Sequence, residues 1–248
     1  MEKSKAPQEV SEAIVMNPLR RRLRRLKIQA AATLLFRGQK IVVASTGRSG
    51  STILHEAIRN GMVRACCPRI RNPFLLRKLN KLAGGFTPRI ANVHSDPTPV
   101  QKTHDQFDPR YAYDAKYVFV YGDPLESALS VKRMYESAGQ GWFENHIRNL
   151  NSEGHIEELF TRDILNYERQ LNSWQQGDVG RVLLLRYEQL WDRVDSISAF
   201  VGFPVMLPMH RERNTILPDN VDNPALFEYL RSIMLSLDER VSYKDGES

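Results

Sequence analysis

The chain has 248 residues, with 35 Lys and Arg against 29 Asp and Glu for a formal net charge of +6; hydrophobic residues make up 42% and charged residues 26%. That balance is typical of a soluble globular chain, long enough for one generous α/β domain or two small ones. It excludes overall disorder, a collagen-like repeat and a coiled coil. The longest apolar runs, Ala30–Phe36 and Ile41–Ala44, fall far short of the roughly 18–20 residues of a membrane span.

Residues 1–16 read as a flexible leader, and Met1–Val10 lacks the apolar centre of a secretory signal. Asn17–Phe36 reads as a basic helix opening a single domain over 17–248, with Arg20, Arg21, Arg22, Arg24, Arg25 and Lys27 spaced by Leu19, Leu23, Leu26 and Ile28. Such a cluster is able to attract phosphates or an acidic membrane surface. The simpler reading is a solvated helix laying its leucines on the domain. No aromatic residues interleave with the arginines, so nucleic acid is not expected as a partner.

Lys40–Ser45 is a β-branched apolar run and predicts a buried strand, followed by the small-residue turn Thr46–Thr52. Ile53, Leu54, Ala57, Ile58 and Met62 then recur at helical spacing. Cys66–Pro99 reads as loops around one short helix, Phe74–Leu82. Cys66 and Cys67 are adjacent, which is poor geometry for a structural disulfide, so an intracellular, cytoplasmic enzyme is expected. Further strands are predicted at Pro99–Thr103, Lys116–Tyr121 and Arg181–Arg186, with a helix from Leu125 to Tyr135 capped by Asp123 and Pro124. Ile156–Gln175 predicts one long helix, and Leu190–Val201 an amphipathic one stopped at Gly202. Strands alternating with helices imply a mainly parallel central sheet in a three-layer αβα arrangement.

Between a buried strand and a helix N-terminus, Gly47-Arg48-Ser49-Gly50-Ser51-Thr52 offers successive backbone N–H groups, two hydroxyls and a guanidinium to one anion. The plain alternative is a strand-to-helix turn using glycine for its backbone freedom. A nucleoside-triphosphate P-loop would place Lys directly before the hydroxyl residue, where Gly50 stands, which disfavours a small-molecule kinase. Lys102 and His104, two apart on a predicted strand, share one face. An imidazole there is able to take a hydroxyl proton, and the ammonium beside it to offset charge on a leaving oxygen; the pair also occurs by chance on exposed strands. Five further histidines, His55, His94, His146, His155 and His210, have no paired spacing and read as surface or hydrogen-bonded structural residues. Trp142, Trp174 and Trp191 read as core or pocket wall.

Four blocks in order resemble the PAPS-dependent sulfotransferase family. Ile41–Leu54 resembles its donor loop and Gln101–His104 its catalytic Lys-Thr/Ser-His segment. Lys116–Ser130 resembles its 3′-phosphate strand, loop and helix, and Leu184–Leu190 with Phe200–Pro204 its Tyr-Glu-Asp-Leu region. The resemblance implies a P-loop-like fold, transfer of a sulfuryl group from PAPS to a hydroxyl or amine of a small-molecule or sugar acceptor, PAP as product, and no metal. It also implies roles: Arg48 through Thr52, with Gly47, would cradle the 5′-phosphosulfate. Arg48 and Lys102 would offset charge on the bridging oxygen, and His104 would be the base. Ser130 would hold the 3′-phosphate and Tyr187 would lie near the adenine. Three positions depart from the pattern. Gly122 stands where the family has an Arg for the 3′-phosphate, leaving Lys132, Arg133, Arg211 and Arg213 as replacement cations; Gly47 replaces a proline, and Ile53 an aromatic. Glu56 is a rival base. A catalytically altered protein of this fold that binds a nucleotide or phosphorylated ligand is the alternative that Gly122 supports.

Overall fold

The computed structural model describes residues 30, 34–36, 40–111, 114–177, 180–210 and 222–245, with side chains in the last helix through 237. The leader 1–16, nearly all of the predicted basic helix 17–36, and Arg211 and Arg213 lie outside the described residues.

Five strands, β1 (Ile41–Ser45), β2 (Gly84–Phe86), β3 (Val100–Thr103), β4 (Lys116–Tyr121) and β5 (Val182–Arg186), form one sheet in the order β2-β3-β1-β4-β5, every neighbouring pair parallel. β1 is buried at all five positions because both of its faces are covered. Ile41 and Val43 point with Val118 and Val120 into one layer, whereas Val42 and Ala44 point with Tyr117 and Phe119 into the other. The first layer is closed by α1 (Ser51–Cys66), α2 (Pro73–Ala83) and α6 (Val194–Val201), through Leu54, Ile58, Leu79 and Ile197. The second is closed by α5 (Tyr167–Trp174) and α7 (Pro224–Asp245), with Trp174 stacked 5.0 Å from Phe119. A third cluster joins α3 (Pro124–Ala138) to α4 (Gln140–Asn149) through Leu125, Leu129, Phe143, Ile147 and Leu150. This is the expected three-layer αβα architecture around a parallel sheet.

Local chemistry sets the boundaries. The Asp123 carboxylate accepts from the N–H groups of Leu125 and Glu126 at 2.9 and 3.0 Å, with Pro124 in the first turn of α3, as predicted. Gly202, at φ 88, ends α6.

Several expectations need correction. The single helix over 156–175 is instead a short 3-10 turn at Ile156–Glu158 and, separately, α5. Asn166 sits in the left-handed region at φ 57, which no right-handed helix passes through, and the Asp163 carboxylate caps the restart at the N–H groups of Tyr167 and Glu168. Similarly, the helix after β5 begins at Val194, behind a 3-10 turn at Tyr187–Gln189. β2, α4 and α7 were not expected. β2 is three residues long and two of them are glycine, so it carries no apolar alternation.

Candidate active site

The site lies at the carboxyl ends of β1 and β3, beside the point where the connections leaving β1 and β4 run to opposite edges of the sheet, a crevice that parallel sheets leave open. Gly47, Arg48 and Gly50 have φ of 84, 56 and 79, a run of left-handed residues that coils the backbone tightly between β1 and α1. A β-carbon on Gly50 would stand 2.3 Å from the Tyr187 ring, so only glycine permits this approach. The Ser49 hydroxyl donates to the carbonyl of Val120 at 2.9 Å and ties the turn to β4.

Arg48, Gly50, Ser51, Thr52, Ile53, Lys102, His104 and Ser130 all border one cavity of about 680 Å³, together with Arg133 and Met134 of α3 and four residues of α4. Lys102 Nζ donates to Thr52 Oγ1 at 2.8 Å, and Arg48 Nε to Ser130 Oγ at 3.0 Å. The predicted donor loop, strand-end pair and helix serine therefore meet in one place. Gly47 and Ser49 do not line the cavity, and neither does Tyr187, which packs edge-on to Trp191 at 5.6 Å.

His104 Nδ1 lies 3.2 Å from the carbonyl of Ser45 and 3.0 Å from its hydroxyl, which itself donates to Ser51 Oγ at 2.9 Å. A carbonyl only accepts, so Nδ1 carries the ring proton and Nε2 keeps the lone pair. Burial, with the charges of Lys102 and Arg48 and the neighbouring His146, lowers the His104 pKa to about 3, so the ring is a neutral base at physiological pH. Lys102 is lowered to about 8 by burial and by Arg48, partly offset by Glu56. Glu56, the rival base, is exposed and does not line the cavity.

Among the replacement cations, Arg133 borders the cavity, whereas Lys132 lies over the Phe160 ring at 5.7 Å. At Gly122 a β-carbon would meet Tyr187, Glu188 and Ser49 at 3.4–3.8 Å, ordinary contacts, and the Gly122 carbonyl accepts from the Tyr167 hydroxyl. His55 is buried against the carbonyl of Val100 at 3.3 Å, the structural role expected of it. His146 is different: it borders the cavity, its ring centroid 6.1 Å from that of His104 and stacked 4.9 Å over Trp142. The sequence did carry a signal, because Trp142, Asn145, His146 and Asn149 recur at helical spacing opposite the apolar Phe143, Ile147 and Leu150.

Searches of protein-family models and of curated protein sequences return no match. Solved structures to which the chain is similar include a sulfotransferase from Alicyclobacillus acidocaldarius, with 11% identity, 82% of this chain and 96% of that one covered, and a TM-score of 0.43. A second is retinol dehydratase in a complex with retinol and PAP, with 17% identity, 71% of this chain covered and a TM-score of 0.37; the match spans 64% of the length of that protein. A third is the sulfotransferase domain of the curacin biosynthetic pathway, with 14% identity, 68% and 75% covered, and a TM-score of 0.36. Sulfotransferases thus recur among the solved structures that this chain resembles.

Proposed function

We propose that the chain is a sulfotransferase that moves a sulfuryl group from PAPS to a hydroxyl of a small-molecule or sugar acceptor. One observation carries this reading: a phosphate-type loop at a helix N-terminus shares its cavity with a neutral imidazole whose Nε2 lone pair is free to act as a base. The residues fit the donor. The cavity is large enough for a nucleotide, the first N–H groups of α1 have no partner within the helix, and Arg48, Lys102 and Arg133 are cations set against a polyanion. PAPS, bound as substrate, would supply a sulfuryl group on an anhydride oxygen.

His104 Nε2 takes the acceptor proton as the acceptor oxygen bonds to sulfur. The bond from sulfur to the bridging oxygen breaks, and Lys102 and Arg48 offset the charge left on that oxygen. Catalysis here is positioning and electrostatics, as in phosphoryl transfer. Ser130 and Arg133 are the candidates for the 3′-phosphate.

Calorimetric titration tests the donor. PAP should bind about tenfold or more tightly than ADP, the worth of one charge-assisted phosphate contact, and Gly122→Arg should tighten it further. Absence of PAP binding in both proteins would overturn the assignment. His104→Ala should keep PAP binding and lose about 10²–10⁴-fold in turnover. The alternative of a binding protein without turnover draws on Gly122. It predicts PAP binding with no transfer from PAPS to any acceptor.

A further inference from the structure

The α4 face bordering the cavity is built unlike the rest of that helix. Phe143 and Ile147 are buried in the cluster that holds α4 to α3, whereas Trp142, Asn145, His146 and Asn149 turn toward the donor loop and His104. These four supply an indole face, two neutral amides and an imidazole, and no carboxylate lines the cavity among the described residues. His146 is 8% exposed, and its Nε2 has no hydrogen-bond partner among the described residues. That nitrogen overhangs the loop: it lies 3.3 Å from where a β-carbon of Gly47 would stand. A buried polar atom left unpaired is costly, so a site that keeps one beside its base is shaped for a ligand group that pairs with it.

We infer that the α4 face of Trp142, Asn145, His146 and Asn149 is the acceptor subsite, and that the acceptor is a polyhydroxylated, sugar-like molecule. This inference rests on the sulfotransferase reading. In it, His146 Nε2 holds the hydroxyl next to the one that His104 deprotonates. Two imidazole rings with centroids 6.1 Å apart on one cavity serve two neighbouring oxygens of one acceptor. A phenol or sterol with a single hydroxyl would satisfy His104 and leave His146 unpaired. The amides of Asn145 and Asn149 offer donors and acceptors to further hydroxyls, and the Trp142 ring a flat surface for a sugar face. Burial lowers the His146 pKa to about 4, so the ring is neutral and able to accept as well as donate.

The test is transfer of labelled sulfate from PAPS to methyl glucoside, galactoside and mannoside, compared with p-nitrophenol and cyclohexanol, with PAP binding measured in parallel. At least one glycoside should be sulfated more efficiently than either monohydric acceptor. Its analogue lacking the hydroxyl beside the sulfated position should be poorer by about a hundredfold or more in kcat/KM. His146→Ala should raise the glycoside KM at least tenfold while PAP affinity stays within threefold, and His146→Gln should recover part of the loss. Preference for p-nitrophenol or cyclohexanol, sulfation of none of the glycosides, or an unchanged KM in His146→Ala would overturn the inference while leaving PAP binding intact. Loss of PAP binding in the unaltered protein would instead overturn the donor reading, and the acceptor subsite with it.

Discussion

Burial and like charge act together on the two groups at the end of β3. Lys102 is lowered to about 8 by its surroundings, so the free protein loses this ammonium as pH rises through that value. A polyanionic donor favours the charged form and pulls the proton back. Binding of PAP near pH 9 is therefore expected to take up a proton, readable by calorimetry in buffers of different ionisation enthalpy, and kcat/KM for PAPS should fall above pH 8. His104, lowered to about 3, gives no acidic limb above about pH 5. Its stabilising consequence has the matching sign: the neutral buried ring favours folding above the ordinary histidine range, and that contribution is lost as pH falls toward 3. At this scale the sequence was readable where residues sit close together along the chain. Arg48, Ser51, Thr52, Lys102, His104 and Ser130 all reached the cavity, since a loop and a strand end leave few ways to point. Tyr187 did not, because its ring is spent closing over Gly50. His146 was missed because its signal lies in the polar face that α4 presents over two turns, with Trp142, Asn145 and Asn149, and not in the residue itself.

The Gly47–Thr52 loop keeps its shape only because α1, β4 and the turn after β5 converge on it. Gly50 is where they meet: its φ of 79 and the 2.3 Å separation of a would-be β-carbon from the Tyr187 ring leave no room for any side chain. Gly50→Ala is expected to cost about 2–4 kcal/mol from left-handed strain and overpacking, read as a lower urea midpoint. It should abolish PAP binding at temperatures where the fold persists. On the far side, α5 secures the segment after β3. Gln170 Nε2 donates to the carbonyl of His104 at 2.9 Å, and the Trp174 indole to that of Asp105 at 3.3 Å. β1 and β4 were legible because burial on both faces demands strong apolar runs, and β5, half-buried at the sheet's edge, keeps such a run as well. The long helix over 156–175 was not, because the periodicity continues across Asn166 while the backbone reverses hand there. α4 escaped notice because half of its circumference faces a cavity instead of the core.

Across the whole molecule, the cavity gathers Arg48, Lys102 and Arg133 at the carboxyl end of the sheet, with no carboxylate lining it among the described residues. Such a cleft focuses its field on an incoming anion. The association rate for PAP should fall by about tenfold or more between low and high salt in stopped-flow measurements, with a smaller change in the dissociation rate. The layered architecture was legible from strand and helix alternation, but the fifth strand was not. β2 lies at the margin of the sheet, three residues long and paired only with β3, and its Phe86 ring stands 6.0 Å from His104 while remaining 44% exposed. The strand whose aromatic ring lies beside His104 is thus also the one held by the fewest ladder pairs. Amide protons of 84–86 should exchange with deuterium faster than those of β1 or β4, and a bound acceptor should slow them where PAP alone does not. Opening at this margin would then set how long a bound ligand stays.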